Sequence, residues 1–161
     1  MNSDTTLIAT DWDMETLREP LLRNLHAYWN SRRGERPMPA RADIDIAEIP
    51  TLLPYVFLID VLDGGRDFRF RVAGTHMRDV TDDEVTGQHV AEAFPEQFGA
   101  EVRLIWSQVV DSRRPVAGCG RLWIPGREHV TWEGVAMPLA EAGADVNMLL
   151  GGVVFNLGGR A

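Results

Sequence analysis

The chain has 161 residues and carries 24 acidic and 16 basic side chains, all of the latter arginine, for a formal net charge of −8. This length is typical of one domain that buries roughly 70% of the surface of its unfolded chain, so neither a disulfide nor a structural metal is needed for stability. The single cysteine, Cys119, cannot form an internal disulfide. An acidic chain repels phosphate backbones, which disfavours nucleic-acid binding.

The N-terminal residues 1–13 are polar and without pattern, and we predict a loose arm there. They hold neither a basic region nor a long apolar run, so they do not have the form of a signal peptide. The longest apolar run, residues 148–155, is far shorter than the ~20 residues that span a bilayer. We therefore expect a cytoplasmic protein with no membrane segment.

An amphipathic helix is predicted after the arm. Thr16 and Glu19 have the spacing of a capping box, Pro20 suits a helix start, and Gly34 marks the end. One apolar stripe follows the helix, formed by Leu17, Leu21, Leu25 and Trp29. The stripe either packs on its own domain or pairs with a second copy in a homodimer. Residues 1–34 are thus predicted as arm and helix, and residues 35–161 as the main domain.

The start of the main domain is rich in proline. Residues 36–41 are predicted as an extended connector because two prolines disfavour both helix and sheet. Asp43 or Asp45 is predicted to cap a short helix that ends before Pro54. The apolar residues of this helix are Ile46, Ile49, Leu52 and Leu53.

Two strands joined by a turn are predicted over residues 55–62 and 67–74. The first is apolar on both faces apart from Asp60, which is typical of a central strand. The second alternates strictly, so Arg69 and Arg71 are predicted to share one face. The opposite face of that strand is predicted to carry Phe68, Phe70 and Val72.

Helices are predicted in the middle of the chain. Residues 75–90 are broken and polar, with two short helical turns, and a short helix follows over residues 90–94. A long helix is predicted over residues 96–112, since Pro115 prevents its continuation. Its apolar stripe consists of Phe98, Val102, Ile105 and Val109, widened by Trp106 and Val110.

Three further strands are predicted over residues 116–124, 130–137 and 146–157. The last is as apolar as residues 55–62, so these two are predicted to form the centre of the sheet. The order of two strands, several helices and three strands indicates an α+β fold.

Short sequence pieces in this order resemble the PAS superfamily, and most closely a short, mostly single-domain bacterial PAS subfamily first catalogued as a domain of unknown function. The pieces are Tyr28-Trp29, Met38-Pro39-Ala40-Arg41, Asp43-Ile44-Asp45, Leu52-Leu53-Pro54, residues 68–75, Thr86-Gly87, Glu133 and Met137-Pro138-Leu139. They cover about residues 21 to 155. The resemblance implies a PAS-like five-stranded antiparallel sheet with helices on one face, an extra N-terminal helix and a role in signalling.

The known PAS cofactors are disfavoured, and the ligand is left unknown. A haem-binding PAS module needs an axial histidine, but His76 and His89 lie in a polar, broken segment that is typical of surface histidines. A flavin photoreceptor needs a reactive cysteine on the helix after the second strand, whereas Cys119 lies on the third predicted strand. No GxSxG, HExxH or GxxxxGK motif is present, so we predict neither a metal site nor an enzyme.

A ligand pocket is predicted between the sheet and the helices. An arginine beside two tryptophans would hold a carboxylate by a bidentate contact; the alternative is a packed core with Arg121 outside it. The facing of the last three strands is ambiguous because both of their faces carry apolar groups. The predicted ligand-binding residues are Phe70, Val72, Trp106, Cys119, Arg121, Trp132 and Glu133.

Two functions remain open from the sequence. The first is a cytoplasmic sensory module that binds a small molecule and relays the change to a signalling partner. The second is a ligand-free interaction module that docks partners on its sheet face or on its N-terminal helix.

Overall fold

The computed structural model describes residues 6–9, 17–81, 84–94, 96–121, 126 and 130–156. Six antiparallel strands form one sheet in the order β1-β4-β5-β6-β2-β3. The strands are β1 Thr6–Ala9, β2 Val56–Leu62, β3 Asp67–Ala73, β4 Val116–Arg121, β5 Thr131–Leu139 and β6 Met148–Asn156. The helices are α1 Pro20–Arg33, α2 Arg78–Thr81, α3 Val90–Ala93 and α4 Glu96–Ser112.

All five predicted strands are present, and β2 and β6 are neighbours inside the sheet, as their apolar sequences predict. The prediction of a loose N-terminal arm is wrong for Thr6–Ala9, which pairs antiparallel with β4 as a sixth strand. The backbone groups along that side of β4 would otherwise be an open sheet edge, which readily pairs with another strand. Four residues are too few for a period of two to be recognised in the sequence.

A β-bulge interrupts the hairpin of β2 and β3. Leu58 pairs with Val72 and Ile59 pairs with Phe70, so Arg71 is an extra residue on β3. A bulge reverses the alternation beyond it. Phe70 therefore faces one side of the sheet, and Val72 faces the other side with Leu58, contrary to the prediction that both share a face.

Helix α1 covers one face of the sheet, which we call the outer face, by packing on β5 and β6. Leu17 and Leu25 are each 1% exposed and Trp29 is 3% exposed, while Leu21 is partly buried against the same core. The predicted stripe therefore packs on its own domain. This corrects the alternative in which these four residues form the contact of a homodimer, because that surface is already buried within one chain.

The start of α1 is held from the sheet rather than by the predicted capping box. Glu19 is the N-cap residue, and its side chain makes no capping hydrogen bond. Instead, the Glu133 carboxylate accepts hydrogen bonds from the backbone N–H groups of Arg18 and Glu19, at 2.9 to 3.2 Å. Gly34 ends the helix at φ 61°, a left-handed conformation that favours glycine, as predicted. Thr16 lies outside the described residues.

Residues 35–55 cross the molecule in single turns of 3-10 helix at Arg41–Asp43, Ile46–Glu48 and Leu53–Tyr55. The one short helix predicted here is wrong, because Pro50 and Pro54 lack the backbone N–H that an uninterrupted helix needs. The predicted cap is present on a shorter element, since the Asp45 side chain accepts a hydrogen bond from Ala47 N at 3.1 Å.

Helices α2, α3 and α4 belong to the opposite, inner side of the sheet. Helix α4 has the predicted bounds and packs on β4 and β5. Its predicted apolar stripe is buried in the core, with Phe98 4%, Val102 9%, Ile105 8% and Val109 0% exposed. Within the described ranges, none of the helices combines the length and the apolar character needed to cross a membrane.

Candidate ligand cavity

A cavity of about 60 Å³ lies between the inner face of the sheet and the helices. Every residue that lines it is glycine or carries an apolar or aromatic side chain, and none is charged. Strands β2 to β6 supply the floor, whereas Met77, Phe94 and α4 supply the roof. The site can therefore bind through shape and apolar contact, with few polar groups to orient a ligand.

The cavity exists because the floor lacks side chains at two adjacent strands. Gly118 of β4 pairs directly with Gly134 of β5, and Val116 pairs with Ala136 one step along the same face. Cross-strand partners point to the same side of a sheet. Two neighbouring glycines and an alanine therefore leave a gap beneath α4, which the ring of Trp132 borders at 3.5 Å from the position of a Cβ on Gly134.

Aromatic rings wall the gap. Trp106 of α4 lies 5.6 Å from Phe57, 5.5 Å from Phe68 and 5.9 Å from Phe70 between ring centroids. The row continues through Phe94 and Phe98, whose rings are 5.0 Å apart, and ends at Trp132, 6.2 Å from Phe98. Several of these pairs are edge-to-face, an arrangement that contributes about 0.5–1.5 kcal/mol each beyond burial. The walls are therefore held in defined positions around the gap.

Trp132 carries a polar group with no partner. The residue is 9% exposed, and its indole Nε1 makes no hydrogen bond among the described residues. Buried donors in native proteins are paired in the large majority of cases. A buried N–H without a partner on a cavity-lining residue is therefore a feature that a ligand can satisfy.

His76 lies at one end of the cavity, beside two of its lining residues, Met77 and Phe155. Its Nε2 accepts a hydrogen bond from Phe155 N at 3.0 Å, so Nδ1 carries the proton and donates to Asp79 Oδ2 at 3.1 Å. The side chain is only 13% exposed, so the prediction of a surface histidine is wrong for His76. Both ring nitrogens are engaged, which removes His76 as a candidate axial ligand for haem.

Three of the seven predicted ligand-binding residues meet at the cavity: Phe70, Trp106 and Trp132. Three others face the outer side, because Cys119 pairs with Glu133 and Arg121 pairs with Thr131, alternating with the inward Gly118 and Gly134. Val72 is turned outward by the bulge. The predicted contact between Arg121 and a carboxylate in the pocket is therefore corrected.

Cys119 and Glu133 are neighbours on the outer face. Burial, together with the nearby Glu133 carboxylate, raises the pKa of the Cys119 thiol. A raised pKa keeps the thiol protonated and unreactive. The aromatic and methionine side chains of the lining that the sequence did not predict are Phe57, Met77, Phe94, Phe98 and Phe155. Gly118 and Gly120, which alternate in β4, are the signal in the sequence that marks the inner face of that strand.

A second, open cleft of about 490 Å³ lies between the end of α1 and the loop after α4. We call it the cationic cleft, and its lining is His26, Trp29, Asn30, Arg33, Pro37, Arg113, Arg114 and Pro115. Arg33 Nε donates to Asn30 Oδ1 at 2.6 Å, and Arg113 Nη2 donates to Ala144 O at 3.2 Å. Burial and the nearby Arg33 lower the pKa of His26. The lining holds no carboxylate, so the cleft suits a negatively charged group.

The described residues contain no group of three or more His, Cys, Asp or Glu side chains that could hold a metal ion. His89, the other candidate haem ligand, is held at the protein surface by a hydrogen bond between its Nδ1 and Asp67 Oδ2 at 2.6 Å. Its side chain is 40% exposed, as predicted for a surface histidine.

Comparison with known proteins places this geometry in a family. A family model described as a PAS domain matches residues 17–154. A solved structure, the PAS domain from Bordetella pertussis BvgS, superposes with a TM-score of 0.52 at 15% identity, covering 68% of this chain and 84% of that one. A search of curated proteins found no match. The match extends from the start of α1 to the last strand, and the chain therefore belongs to the PAS domain family.

Proposed function

We propose that this chain is a sensory module that binds a small, mainly apolar molecule in the inner cavity and relays its presence to a partner protein. PAS domains are in general sensory and signalling modules. The observation that carries the proposal is the cavity between sheet and helices, which is lined by apolar groups only. A lining without charged side chains disfavours charged metabolites, because burying an unpaired charge is costly.

The small volume of the cavity implies that ligand binding moves part of the protein, and this movement is the relay that we propose. A single water needs roughly 10–15 Å³, whereas a cavity that binds benzene measures about 150 Å³. The observed volume of about 60 Å³ lies between these values. A ligand of benzene size must therefore displace part of the wall. Helix α3 is a single turn, and the adjoining Phe94 and Phe98 contact the cavity, so we propose that this part of the roof moves.

Helix α4 connects the cavity to the cationic cleft. Its inner side lines the cavity from Phe98 to Trp106, and the chain enters the cleft at Arg113, immediately after the helix ends. A displacement of this rigid element moves Arg113 relative to Arg33 on α1. We propose that the partner presents carboxylates to this cleft, because its lining is cationic although the chain as a whole is acidic.

A thermal-shift screen of uncharged apolar compounds tests the sensory proposal. A ligand at one hundred times its dissociation constant stabilises the fold by about 2.7 kcal/mol, which corresponds to roughly 5–10 °C for a domain of this size. The variant Ala136→Leu fills the cavity and should abolish the shift, whereas Ala27→Leu on the exposed side of α1 should leave it unchanged. A shift that persists in the filled variant would place the ligand elsewhere and contradict the proposal.

A hexaglutamate peptide tests the cationic cleft. Arg33→Glu should weaken its binding, and Arg103→Glu, which makes the same charge change on the exposed side of α4, should not. Saturating the cavity with a hit from the thermal screen should change the affinity for the peptide. Equal losses of peptide affinity in both variants would show that the peptide is attracted by the net charge of the chain alone, and the cleft would no longer be part of the proposal.

The second candidate function is a ligand-free interaction module, and the small cavity volume is the observation that favours it. Of the docking surfaces predicted for it, the sheet face is covered at β5 and β6 by α1, whereas the end of α1 is accessible at the open cationic cleft. This function predicts that peptide binding is the same in the wild-type chain and in Ala136→Leu, and that no apolar compound alters it.

A further inference from the structure

The unpaired indole N–H of Trp132 indicates that this cavity is a ligand site and not only a packing defect. Trp132 Nε1 has no hydrogen-bond partner within the described part of the chain, and the residue is only 9% exposed. Trp29, on the other side of the sheet, provides an internal comparison. It is 3% exposed, and its Nε1 donates to Pro138 O at 3.0 Å. The two buried indoles thus differ, because the N–H of Trp29 is paired with a backbone carbonyl and the N–H of Trp132 has no partner among the described residues.

Water is a poor partner for this N–H. A buried water is held by 2–4 hydrogen bonds in typical sites. Apart from the indole N–H groups of Trp106 and Trp132, no side chain that lines the cavity carries a hydroxyl, an amide or a charge. A water at Nε1 would leave most of its own hydrogen bonds unmade, whereas a ligand with one acceptor atom would not.

We propose that the ligand is an uncharged molecule with an apolar body and one hydrogen-bond acceptor, such as a ketone or ester oxygen, which accepts from Trp132 Nε1. Its body packs on the rings of Phe70, Phe94 and Phe98. This inference rests on the proposed sensory function of the same cavity. A carboxylate is excluded as the acceptor because no cationic residue lines the cavity and Arg121 faces the other side of the sheet.

Two isosteric probes isolate the hydrogen bond: acetophenone, and α-methylstyrene, in which a CH₂ group replaces the carbonyl oxygen. Their dissociation constants are measured by calorimetry for the wild-type chain and for Trp132→Phe. For each protein we take the ratio of the two dissociation constants, and we then compare this ratio between the wild-type chain and Trp132→Phe. The general hydrophobicity of each probe and the enlarged cavity of the variant cancel in this comparison. We expect Trp132→Phe to shift the preference away from acetophenone by about fivefold, the net worth of one hydrogen bond.

The NMR resonances of the indole N–H groups in the wild-type chain give a second measurement, which does not depend on whether a variant folds. Acetophenone should move the Trp132 Nε1–H signal downfield, α-methylstyrene should not, and the Trp29 Nε1–H signal should stay in place with both probes. The two probes share a phenyl ring, so ring-current effects are matched.

The outcomes separate this inference from the proposed function. If both probes bind and neither the ratio nor the Trp132 signal distinguishes them, the acceptor is refuted while the apolar site stands. If neither probe binds the wild-type chain or shifts its melting temperature, while Ala136→Leu is simply more stable, the sensory proposal fails and this inference fails with it.

Discussion

The two faces of the sheet are used in different ways. On the outer face α1 fills the available space, and the polar groups there are paired: the Glu133 carboxylate binds the start of α1, and Asp60 binds Arg69 and Arg71 at 2.8 to 3.3 Å. On the inner side the rings enclose a void. The two buried side-chain atoms without a partner in the described part of the chain, Gln108 Oε1 and Trp132 Nε1, both belong to this inner side.

Adjacent residues of one strand show the contrast most directly. Trp132 and Glu133 follow each other in β5, and the period of two sends them to opposite faces. Glu133 anchors a helix, whereas Trp132 lines a cavity with its donor unpaired. The outer face is built for stability, and the inner side keeps spare volume and an unmade hydrogen bond. Each of the following variants tests this difference.

The largest difference is expected from truncating one aliphatic side chain on each side. Leu25→Ala removes a side chain that is 1% exposed, with its Cδ2 packed above Gly152, and should lower the free energy of unfolding by about 4 kcal/mol. Ile105→Ala, beside the existing void, should lower it by about 2 kcal/mol, because the neighbouring side chains can collapse further. Urea unfolding measures both values. Equal losses would show that the inner side is packed as tightly as the outer face.

Adding methyl groups should stabilise the fold on the inner side of the sheet and destabilise it on the outer face. Ala136→Val places two carbons in the cavity and should stabilise the fold by up to about 1 kcal/mol. Ala117→Val, in the neighbouring strand on the outer face, has no space to occupy and should destabilise by about 1–3 kcal/mol. Both changes raise strand propensity equally, so thermal unfolding reports the difference in space. A destabilised Ala136→Val variant would contradict the presence of a fillable cavity.

Glu133→Gln tests the anchor of α1. The carboxylate accepts hydrogen bonds from two backbone N–H groups, and the neutral amide is a weaker acceptor of the same shape, so we expect a loss of about 1 kcal/mol in the free energy of unfolding. Hydrogen exchange should show that the loss is concentrated in the first turn of α1. Glu141→Gln, an exposed position in the turn between β5 and β6, is the matched control. If the two variants unfold alike, the anchor contributes nothing measurable.

The order of five strands and the long helix along the chain, the two central strands and the family could all be predicted, because each depends on patterns spread over many residues. Helix α4 shows this most clearly, since its stripe and the following Pro115 determine both its face and its end. The candidate site was predicted only in part. Phe70, Trp106 and Trp132 are bulky residues on clear patterns, whereas the facing of Val72 depends on a bulge that a regular alternation conceals.

The facing of Cys119, Arg121 and Glu133 could not be predicted for a different reason. In a sheet that is covered on both sides, both faces of a strand are apolar, so hydrophobic alternation gives no direction. Besides the glycines of β4, the position of α1, a long-range contact, separates the faces. The same contact explains why the stripe of α1 has the sequence pattern of a dimer helix although it packs within one chain.

The smallest effect concerns a carboxylate that closes the loop beside Phe70, a residue that lines the cavity. Glu84 accepts hydrogen bonds from Thr86 Oγ1 at 2.6 Å and Thr86 N at 3.0 Å, and from Arg78 at 2.8 Å, which together lower the pKa of Glu84 to about 2. The loop that it closes runs beside Phe70, whose backbone exchanges hydrogen bonds with Gly87 and Gln88.

Because the pKa of Glu84 is lower in the folded chain than its ordinary value of 4.5, its contribution is complete above pH 4.5 and is lost as the pH falls towards 2. The side chain is 47% exposed, so the loss should stay below about 1 kcal/mol. Thr86→Val removes the hydroxyl donor and should raise this pKa towards 4.5, as followed by NMR of the carboxyl carbon during titration. A Glu84 pKa near 4.5 in the wild-type chain would show that the loop beside Phe70, unlike the outer face, is not stabilised by hydrogen bonds to a carboxylate.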